Sequence, residues 1–145
     1  MKKVVVIGGG FAGSLIAKKL EDDFEVTLID TKEYFEFTPS ILRTIVEPGH
    51  IKKIQVLHKD YLKKAKVIKG NVNEVSRNFV KIKGKRIKFD YLAICSGSSY
   101  NSPFKEQKVV FATRVAHLVN CYKKLYGSKT ILIIGGGLVG VELAG

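Results

Sequence analysis

Six residues near the start of the chain, Gly8-Gly9-Gly10-Phe11-Ala12-Gly13, have the spacing G-x-G-x-x-G. In a strand-turn-helix unit these glycines have separate tasks: Gly8 permits the tight turn, Gly10 lets a pyrophosphate approach the backbone, and Gly13 lets the helix pack closely on the strand. The apolar run "VVVI" precedes the motif, and helical apolar spacing follows it. Asp30 closes the next apolar segment, where its carboxylate can accept hydrogen bonds from a ribose. The pattern predicts a dinucleotide-binding β-α-β unit.

The same spacing recurs near the end of the sequence, in Gly135-Gly136-Gly137-Leu138-Val139-Gly140. The preceding "ILII", residues 131–134, predicts a second strand-turn-helix unit. The sequence stops at Gly145, inside the predicted helix and before a second strand with an acidic end. We therefore expect an N-terminal portion of a longer enzyme, which by itself would be poorly soluble or oligomeric and would not oxidise NAD(P)H.

Apolar spacing and turn residues predict the elements that position the two motifs. Strands are predicted at 2–7, 24–30, 91–95 and 109–111, and helices at 11–20, 39–46, 51–64 and 115–126, the last ended by Gly127. Residues 65–89 contain "KGN", "SRN" and "KGK" turns, which predict a three-stranded antiparallel meander. The fold class is therefore α/β.

The net charge of +12 raises the question of nucleic-acid binding. In "FVKIKGKRIKF", however, lysines alternate with apolar residues, as on the solvated face of a hairpin, and four of the 25 basic residues are Arg. We therefore predict no nucleic-acid partner. No apolar run reaches the roughly 18 residues of a membrane span, and the N-terminus has no signal-peptide core, which favours a cytoplasmic location.

The cysteines and histidines form no pattern that predicts chemistry. Cys95 and Cys121 have neither a C-x-x-C nor a metal-ligand spacing, so we interpret both as packing residues and predict no metal site. Cys95 has the stronger functional claim because it adjoins a Gly/Ser loop. His50, His58 and His117 are interpreted as surface or packing residues, and no catalytic side chain is assigned.

Two such motifs with "FDYLAICSGS" between them resemble the two-dinucleotide-binding-domain flavoproteins of the pyridine nucleotide-disulfide oxidoreductase type. The resemblance implies a Rossmann-like FAD-binding domain over residues 1–108 and the start of an NAD(P)-binding domain over 109–145. It also implies that the first motif holds the ADP half of FAD, while Cys95, Ser96 and Gly97 form a loop beside the flavin. The second motif, which ends in "GVE", would hold NADH or NADPH.

The segment "DTKEYFEFTPSILRTIVEP" further resembles single-flavin quinone reductases, such as type II NADH dehydrogenases and apoptosis-inducing-factor-like proteins. That resemblance implies hydride transfer from nicotinamide to FAD, followed by electron transfer from FAD to a small-molecule acceptor, a quinone. No cysteine lies between Asp30 and Tyr91, which disfavours a thiol relay. The residues expected to contact FAD are Gly8, Gly10, Phe11, Ala12, Gly13, Asp30, Lys32, Pro39, Ser40, Val72, Cys95, Ser96 and Gly97. Those expected to contact NAD(P) are Gly135, Gly137, Leu138, Val139, Gly140 and Glu142.

Two other functions remain open at this point. One is a non-catalytic dinucleotide-binding module, and the other is a plain NAD-dependent Rossmann dehydrogenase, against which "FDYLAICSGS" and the meander argue. A yellow chromophore on purification would exclude the dehydrogenase. The resemblance also allows a homodimer, and peripheral membrane contact through a C-terminal part outside this sequence.

Overall fold

The computed structural model describes residues 1–98 and 111–145. In these ranges the strands are β1 (Lys3–Ile7), β2 (Glu25–Asp30), β3 (Tyr34–Glu36), β4 (Gln55–Leu57), β5 (Lys66–Lys69), β6 (Val72–Val75), β7 (Phe79–Ile82), β8 (Lys85–Lys88) and β9 (Tyr91–Ile94). The α-helices are α1 (Phe11–Leu20), α2 (Ile51–Ile54), α3 (His58–Tyr61), α4 (Phe111–Tyr126) and α5 (Leu138–Ala144). Short 3-10 helices lie at Thr38–Ser40, Leu42–Ile45 and Pro48–His50.

A four-stranded parallel sheet with the order β5-β2-β1-β9 forms the centre of the fold. Strand β1 has a neighbour on each side, and Val4, Val5 and Val6 in it are buried. A run of β-branched residues suits such a strand, because both of its faces are covered. Helix α1 covers one face, where Ala17 packs with Val4 and Val6. The predicted β-α-β unit and its parallel sheet are confirmed.

The predicted three-stranded meander is present, and it covers the other face of the sheet. Strands β6, β7 and β8 pair antiparallel, and Val80 and Ile82 of β7 pack with Val5 and Ile29 of the parallel sheet. The β7–β8 turn has Lys83 at φ 47° and Gly84 at φ 79°, the left-handed pair that a tight hairpin requires. Residues 65–89 also contain an unpredicted fourth strand, β5, which joins the parallel sheet beside β2.

The predicted helix over 51–64 is wrong in its middle. Helices α2 and α3 are separated by β4, which pairs antiparallel with β3 and places Gln55 opposite Glu36. Pairing with β3 satisfies backbone groups that a continuous helix would satisfy internally, so tertiary contacts override the helical spacing. The predicted helix over 39–46 is present as two short 3-10 helices.

Strand β9 is less buried than its apolar sequence predicts. Tyr91 is 56% exposed and Ile94 63% exposed. The strand lies at one edge of the parallel sheet and pairs with β1 alone among the described strands. An apolar strand sequence therefore does not by itself indicate how many neighbours cover it.

The C-terminal part of the described chain contains α4 and α5. The predicted helix over 115–126 is confirmed within α4, and Gly127 follows its last residue. Of the strand predicted at 109–111, the first two residues lie outside the described ranges and the third begins α4. Residues 131–134 form no strand and are exposed, because no described strand lies beside them to pair with.

A buried ion pair attaches α4 to the β3–β4 pair. The Arg114 Nε and Nη2 atoms donate to Oε2 and Oε1 of Glu36, each at 3.0 Å, and Gln55 Nε2 donates to the same Oε2 at 2.6 Å. Arg114 is 1% exposed and Glu36 9% exposed. A bidentate contact of this kind fixes the orientation of the two side chains as well as the distance between them.

No helix within the described ranges is both long enough and apolar enough to cross a membrane.

Candidate functional site

The first glycine motif forms a tight turn between β1 and α1. Gly8 has φ +98°, and a Cβ atom on it would collide with the Cys95 carbonyl at the end of β9. A Cβ atom on Gly13 would collide with the Gly8 carbonyl oxygen. The Gly8 N–H donates to the Ile29 carbonyl of β2 at 2.8 Å. The turn is therefore enclosed by two neighbouring strands and by the helix that it starts, and the predicted tasks of Gly8 and Gly13 agree with the geometry.

Gly10 lies on the open side of this turn. Gly10 is the N-cap residue of α1, and no side chain forms a capping hydrogen bond there. A Cβ atom built on Gly10 would meet nothing within 4 Å. The N–H groups of the first helical turn have no partner within the helix, and the helix dipole favours an anion there. An open, uncapped N-terminus after a Gly-rich turn can bind a pyrophosphate through its backbone.

A cavity of about 680 Å³ opens beside this helix end, within the range of small-molecule sites. Eleven of the thirteen residues predicted to contact FAD line it: Gly8, Gly10, Phe11, Ala12, Asp30, Lys32, Pro39, Val72, Cys95, Ser96 and Gly97. The other two, Gly13 and Ser40, do not; Gly13 is buried behind the turn, and the Ser40 hydroxyl contacts His50 Nε2 at 2.8 Å. Lining residues that the sequence did not indicate include Gly9, Thr31, Glu36, Thr38, Gly70, Asn71 and Ser98.

Asp30 ends β2 at the wall of this cavity and is 9% exposed. Its Oδ2 atom is 3.1 Å from His58 Nε2, while its Oδ1 atom has longer contacts, 3.4 Å each, with the Thr31 hydroxyl and the Lys32 N–H. Burial raises the pKa of Asp30, but the hydrogen bond with His58 and the positive charge of Lys32 lower it, and the net shift is downward. The carboxylate is therefore ionised at neutral pH and can accept hydrogen bonds from a ribose.

His58 is fully buried and belongs to a chain of hydrogen bonds under the glycine turn. Its Nδ1 atom is 2.6 Å from the Tyr61 hydroxyl, which donates to Ser14 Oγ at 2.8 Å, and Ser14 Oγ donates to the Gly9 carbonyl at 2.8 Å. Burial raises the pKa of Tyr61. His58 is buried, which agrees with its interpretation as a surface or packing residue. The sequence does not predict its contact with Asp30, because 28 residues of chain separate the two and no local spacing indicates that they meet.

Gly9, which the motif leaves unspecified, is required by this arrangement. A Cβ atom on Gly9 would lie 2.5 Å from both Asp30 Oδ2 and His58 Nε2. Any larger residue would displace the pair, since such separations are well inside van der Waals contact. The unspecified position of the motif is thus fixed by the tertiary contacts of this particular chain.

Three aromatic rings lie beside the cavity at the start of α1. The Phe11 ring meets those of Phe35 and Phe37 edge to face, with centroids 5.2 and 5.4 Å apart. Phe11 is 52% exposed and Phe37 44% exposed. The cluster connects the glycine turn to the segment that contains Pro39, and it gives this side of the cavity an apolar rim.

The second motif has the same local geometry with different surroundings. Gly135 has φ +112°, and a Cβ atom on Gly140 would collide with the Gly135 carbonyl oxygen. None of the six residues predicted to contact NAD(P) lines the cavity. Four of the six are exposed: Gly135, Gly137, Leu138 and Glu142. The described structure therefore does not bring the two predicted nucleotide sites together.

Both cysteines are free thiols. Cys95 packs against the core that contains Val4 and Val6 while also reaching the cavity, and Cys121 is half-buried in α4. No group of three or more side chains that could hold a metal ion occurs among residues 1–98 and 111–145.

A search of protein families matches residues 2–145 to the pyridine nucleotide-disulphide oxidoreductase family, to which this chain belongs. The predicted family is confirmed, and membership supports the two cofactors predicted from the motifs, FAD and NAD(P)H. Apoptosis-inducing factor homolog A of Dictyostelium discoideum is 40% identical over 147 residues, covering 99% of this chain and 36% of the relative. Mouse ferroptosis suppressor protein 1 is 30% identical, covering 97% and 39% respectively. The chain thus spans less than half of these relatives.

Solved structures show the same fold. Sulfide:quinone oxidoreductase of Aquifex aeolicus matches with a TM-score of 0.67 and 28% identity, covering 87% of this chain and 32% of that one. NADH:rubredoxin oxidoreductase of Clostridium acetobutylicum matches with a TM-score of 0.70 and 24% identity, covering 99% and 40%. The predicted α/β fold, a parallel sheet with an added antiparallel meander, is confirmed.

Proposed function

We propose that this chain is the FAD-binding part of an NAD(P)H oxidoreductase. One observation carries the proposal: a single cavity is lined by the open glycine turn at Gly10, by the ionised Asp30 and by the loop that contains Cys95. These are groups that suit a pyrophosphate, a ribose and the flavin side of one extended dinucleotide. Family membership supports the same reading.

The residues around the cavity suggest how FAD would lie in it. The N–H groups at the start of α1 would hold the pyrophosphate, and Asp30 would accept from the adenosine ribose, with Lys32 beside it. Val72 would meet the adenine through its backbone, while Pro39 and the loop of Cys95, Ser96 and Gly97 would adjoin the flavin. When bound, the flavin supplies the chemistry, because it can accept a hydride and pass electrons on.

The electron donor and acceptor are proposed on other grounds. The second glycine motif, with Glu142, would bind NADH or NADPH, and the domain boundary would lie near residue 108. A quinone acceptor is supported by similarity to a sulfide:quinone oxidoreductase at 28% identity. We place the protein in the cytoplasm. Peripheral membrane contact would be compatible with a quinone substrate, and a homodimer is compatible with the family resemblance.

The ribose contact gives the first test. Asp30→Ala removes a charged acceptor, which is worth about 1.5 to 3 kcal/mol, so FAD should bind roughly 10 to 100 times more weakly. Asp23→Ala changes an exposed aspartate seven residues earlier, remote from the cavity lining, and should leave FAD affinity unchanged. Fluorescence titration of the apoprotein with FAD measures both. Equal affinities in the two variants would contradict the proposed site.

Turnover gives the second test, made on the protein as expressed from its natural gene. Oxidation of NADH or NADPH with a short-chain quinone as acceptor is expected from the protein that contains FAD. Tight FAD binding with no oxidation of either nucleotide would instead favour a non-catalytic binding module.

A further inference from the structure

The two oxygens of Asp30 have different surroundings. Oδ2 lies between Gly9 and His58, at 3.1 Å from His58 Nε2, and a Cβ atom on Gly9 would be 2.5 Å from it. Oδ1 has only the two contacts of 3.4 Å, with the Thr31 hydroxyl and the Lys32 N–H, which are long for strong hydrogen bonds. One oxygen is thus occupied within the protein, and the other has capacity left for a ligand.

His58 is itself fixed from the opposite side. Its Nδ1 atom contacts the Tyr61 hydroxyl at 2.6 Å, and the Tyr61 hydroxyl reaches Ser14 on the first turns of α1. Ser14 in turn donates to the Gly9 carbonyl. The imidazole therefore has a partner on each nitrogen, and its position follows that of the glycine turn.

The chain of contacts joins the two parts of the proposed FAD site. Gly9 belongs to the turn that would hold the pyrophosphate, whereas Asp30 would hold the ribose. Ser14, Tyr61 and His58 connect them through side chains from α1 and α3. A carboxylate at a strand end can rotate about its last side-chain bond, and a hydrogen bond to one oxygen from a buried, fixed donor prevents that rotation.

We propose that His58 is a positioning residue of the ribose site. It holds Asp30 through Oδ2 so that Oδ1 faces the ligand, and Tyr61 with Ser14 keeps His58 in register with the glycine turn. This inference rests on the proposed FAD site and adds to it a residue that acts on the ligand only through Asp30. Its contribution to affinity should therefore disappear when Asp30 is absent.

A double-mutant cycle tests this dependence. FAD affinity is measured by fluorescence titration for the wild type, Asp30→Ala, His58→Leu and the double variant, and circular dichroism checks that each is folded. His58→Leu should weaken FAD about tenfold in the wild-type background and less than twofold in the Asp30→Ala background. Losses that multiply in the double variant would overturn the inference, since they would show that His58 acts on the fold and not through Asp30.

Two further variants keep the test decisive if His58→Leu does not fold. His58→Gln keeps an amide N–H that can donate to Asp30, so it should bind FAD within about threefold of the wild type. Tyr61→Phe leaves the imidazole and removes one of its two partners, so FAD should bind about threefold more weakly. A His58→Gln protein that is folded but binds FAD as poorly as Asp30→Ala would contradict the positioning role.

The outcomes separate this inference from the proposed function. If Asp30→Ala leaves FAD affinity unchanged, the ribose site itself is wrong. If Asp30→Ala weakens FAD while folded His58→Leu and Tyr61→Phe bind normally, the ribose site stands and the role of His58 is wrong.

Discussion

The two glycine motifs of this chain have the same turn and different environments. In both, the first glycine has a positive φ, and its carbonyl closes against the last glycine. Around the first motif, β1 is buried between β2 and β9, and Gly9 is in contact range of His58 and Asp30. Around the second, residues 131–134 are exposed, and a Cβ atom on Gly136 would meet nothing within 4 Å.

The difference shows that the motif specifies a turn, whereas a nucleotide site also needs side chains from elements that pack beside the turn. The equivalent of Ser14 in the second motif is Val141, which cannot donate to a backbone carbonyl. The described ranges contain no second acid-bearing strand beside Gly135 that would play the part of Asp30. Binding groups are thus contributed by neighbours of the first turn, and the hexapeptide alone supplies only the helix N-terminus.

The largest expected difference between the motifs concerns their middle glycines. Gly9→Ala forces a methyl group against Asp30 and His58, and overpacking of this kind should lower the free energy of unfolding by about 3 kcal/mol. Gly136→Ala places the same group in open space and should change it by less than about 0.5 kcal/mol. Urea denaturation of both variants measures the contrast, and similar losses would show that the two turns are equally packed.

A smaller effect is expected from Glu21, the residue that follows α1. Its buried carboxylate accepts from the backbone N–H groups of residues 63, 64 and 65 at 2.9 to 3.1 Å and from Lys18 Nζ at 2.6 Å. Burial raises the pKa of Glu21, but these hydrogen bonds lower it more, from 4.5 to about 2. A lowered folded-state pKa stabilises the fold above pH 4.5, and that stabilisation is lost as the pH falls towards 2.

Glu21→Gln should therefore cost about 1 to 2 kcal/mol at pH 7 and progressively less as the pH falls from 4.5 to 2. Glu25→Gln, at an exposed position on β2, is the matched control and should follow the wild-type pH dependence. Urea denaturation at a series of pH values checks both. A Glu21→Gln cost that stays constant over this range would show that ionisation of Glu21 does not stabilise the first unit.

The smallest effect is expected from the thiols, one beside the first motif and one on the helix that precedes the second. Replacing both Cys95 and Cys121 by Ala should leave NAD(P)H-to-quinone turnover within a few-fold of wild type, because neither has a partner thiol in the described chain. Turnover is measured on the protein expressed from its natural gene, with flavin content as the control. A loss above about a hundredfold, roughly 2.7 kcal/mol of barrier, with flavin still bound would mean that a thiol takes part.

Local sequence predicts the first unit well because its signals are local. The β-branched run of β1, the glycine spacing and the acidic end of β2 lie within 30 residues, and each has one compatible geometry. Most of the cavity lining follows from the motif and from the family resemblance. The domain boundary near residue 108 and the individual contacts to each cofactor remain predictions.

Contacts between distant segments could not be predicted in this way. The pairing of Gln55 with Glu36 interrupts a segment with helical spacing, and Arg114 reaches the same carboxylate from a helix 78 residues later. The hydrogen bond between His58 and Asp30 likewise depends on how α3 is placed over β2. Such contacts are determined by tertiary packing, which overrides local secondary-structure propensity. They produce no periodic pattern in the sequence from which they could be predicted.

The central claim is that the first motif binds FAD and that the second does not contribute to that site. Gly10→Val and Gly137→Val are a matched pair, because a Cβ atom on either glycine meets nothing within 4 Å and neither change should disturb the fold. FAD affinity and bound flavin per chain are measured for both variants and the wild type. The account predicts that Gly10→Val binds FAD at least a hundredfold more weakly than the wild type, because blocking the pyrophosphate should cost about 3 kcal/mol of binding free energy or more. Gly137→Val should bind FAD with the affinity of the wild type. Normal flavin content in Gly10→Val, or an equal loss in both variants, would contradict it.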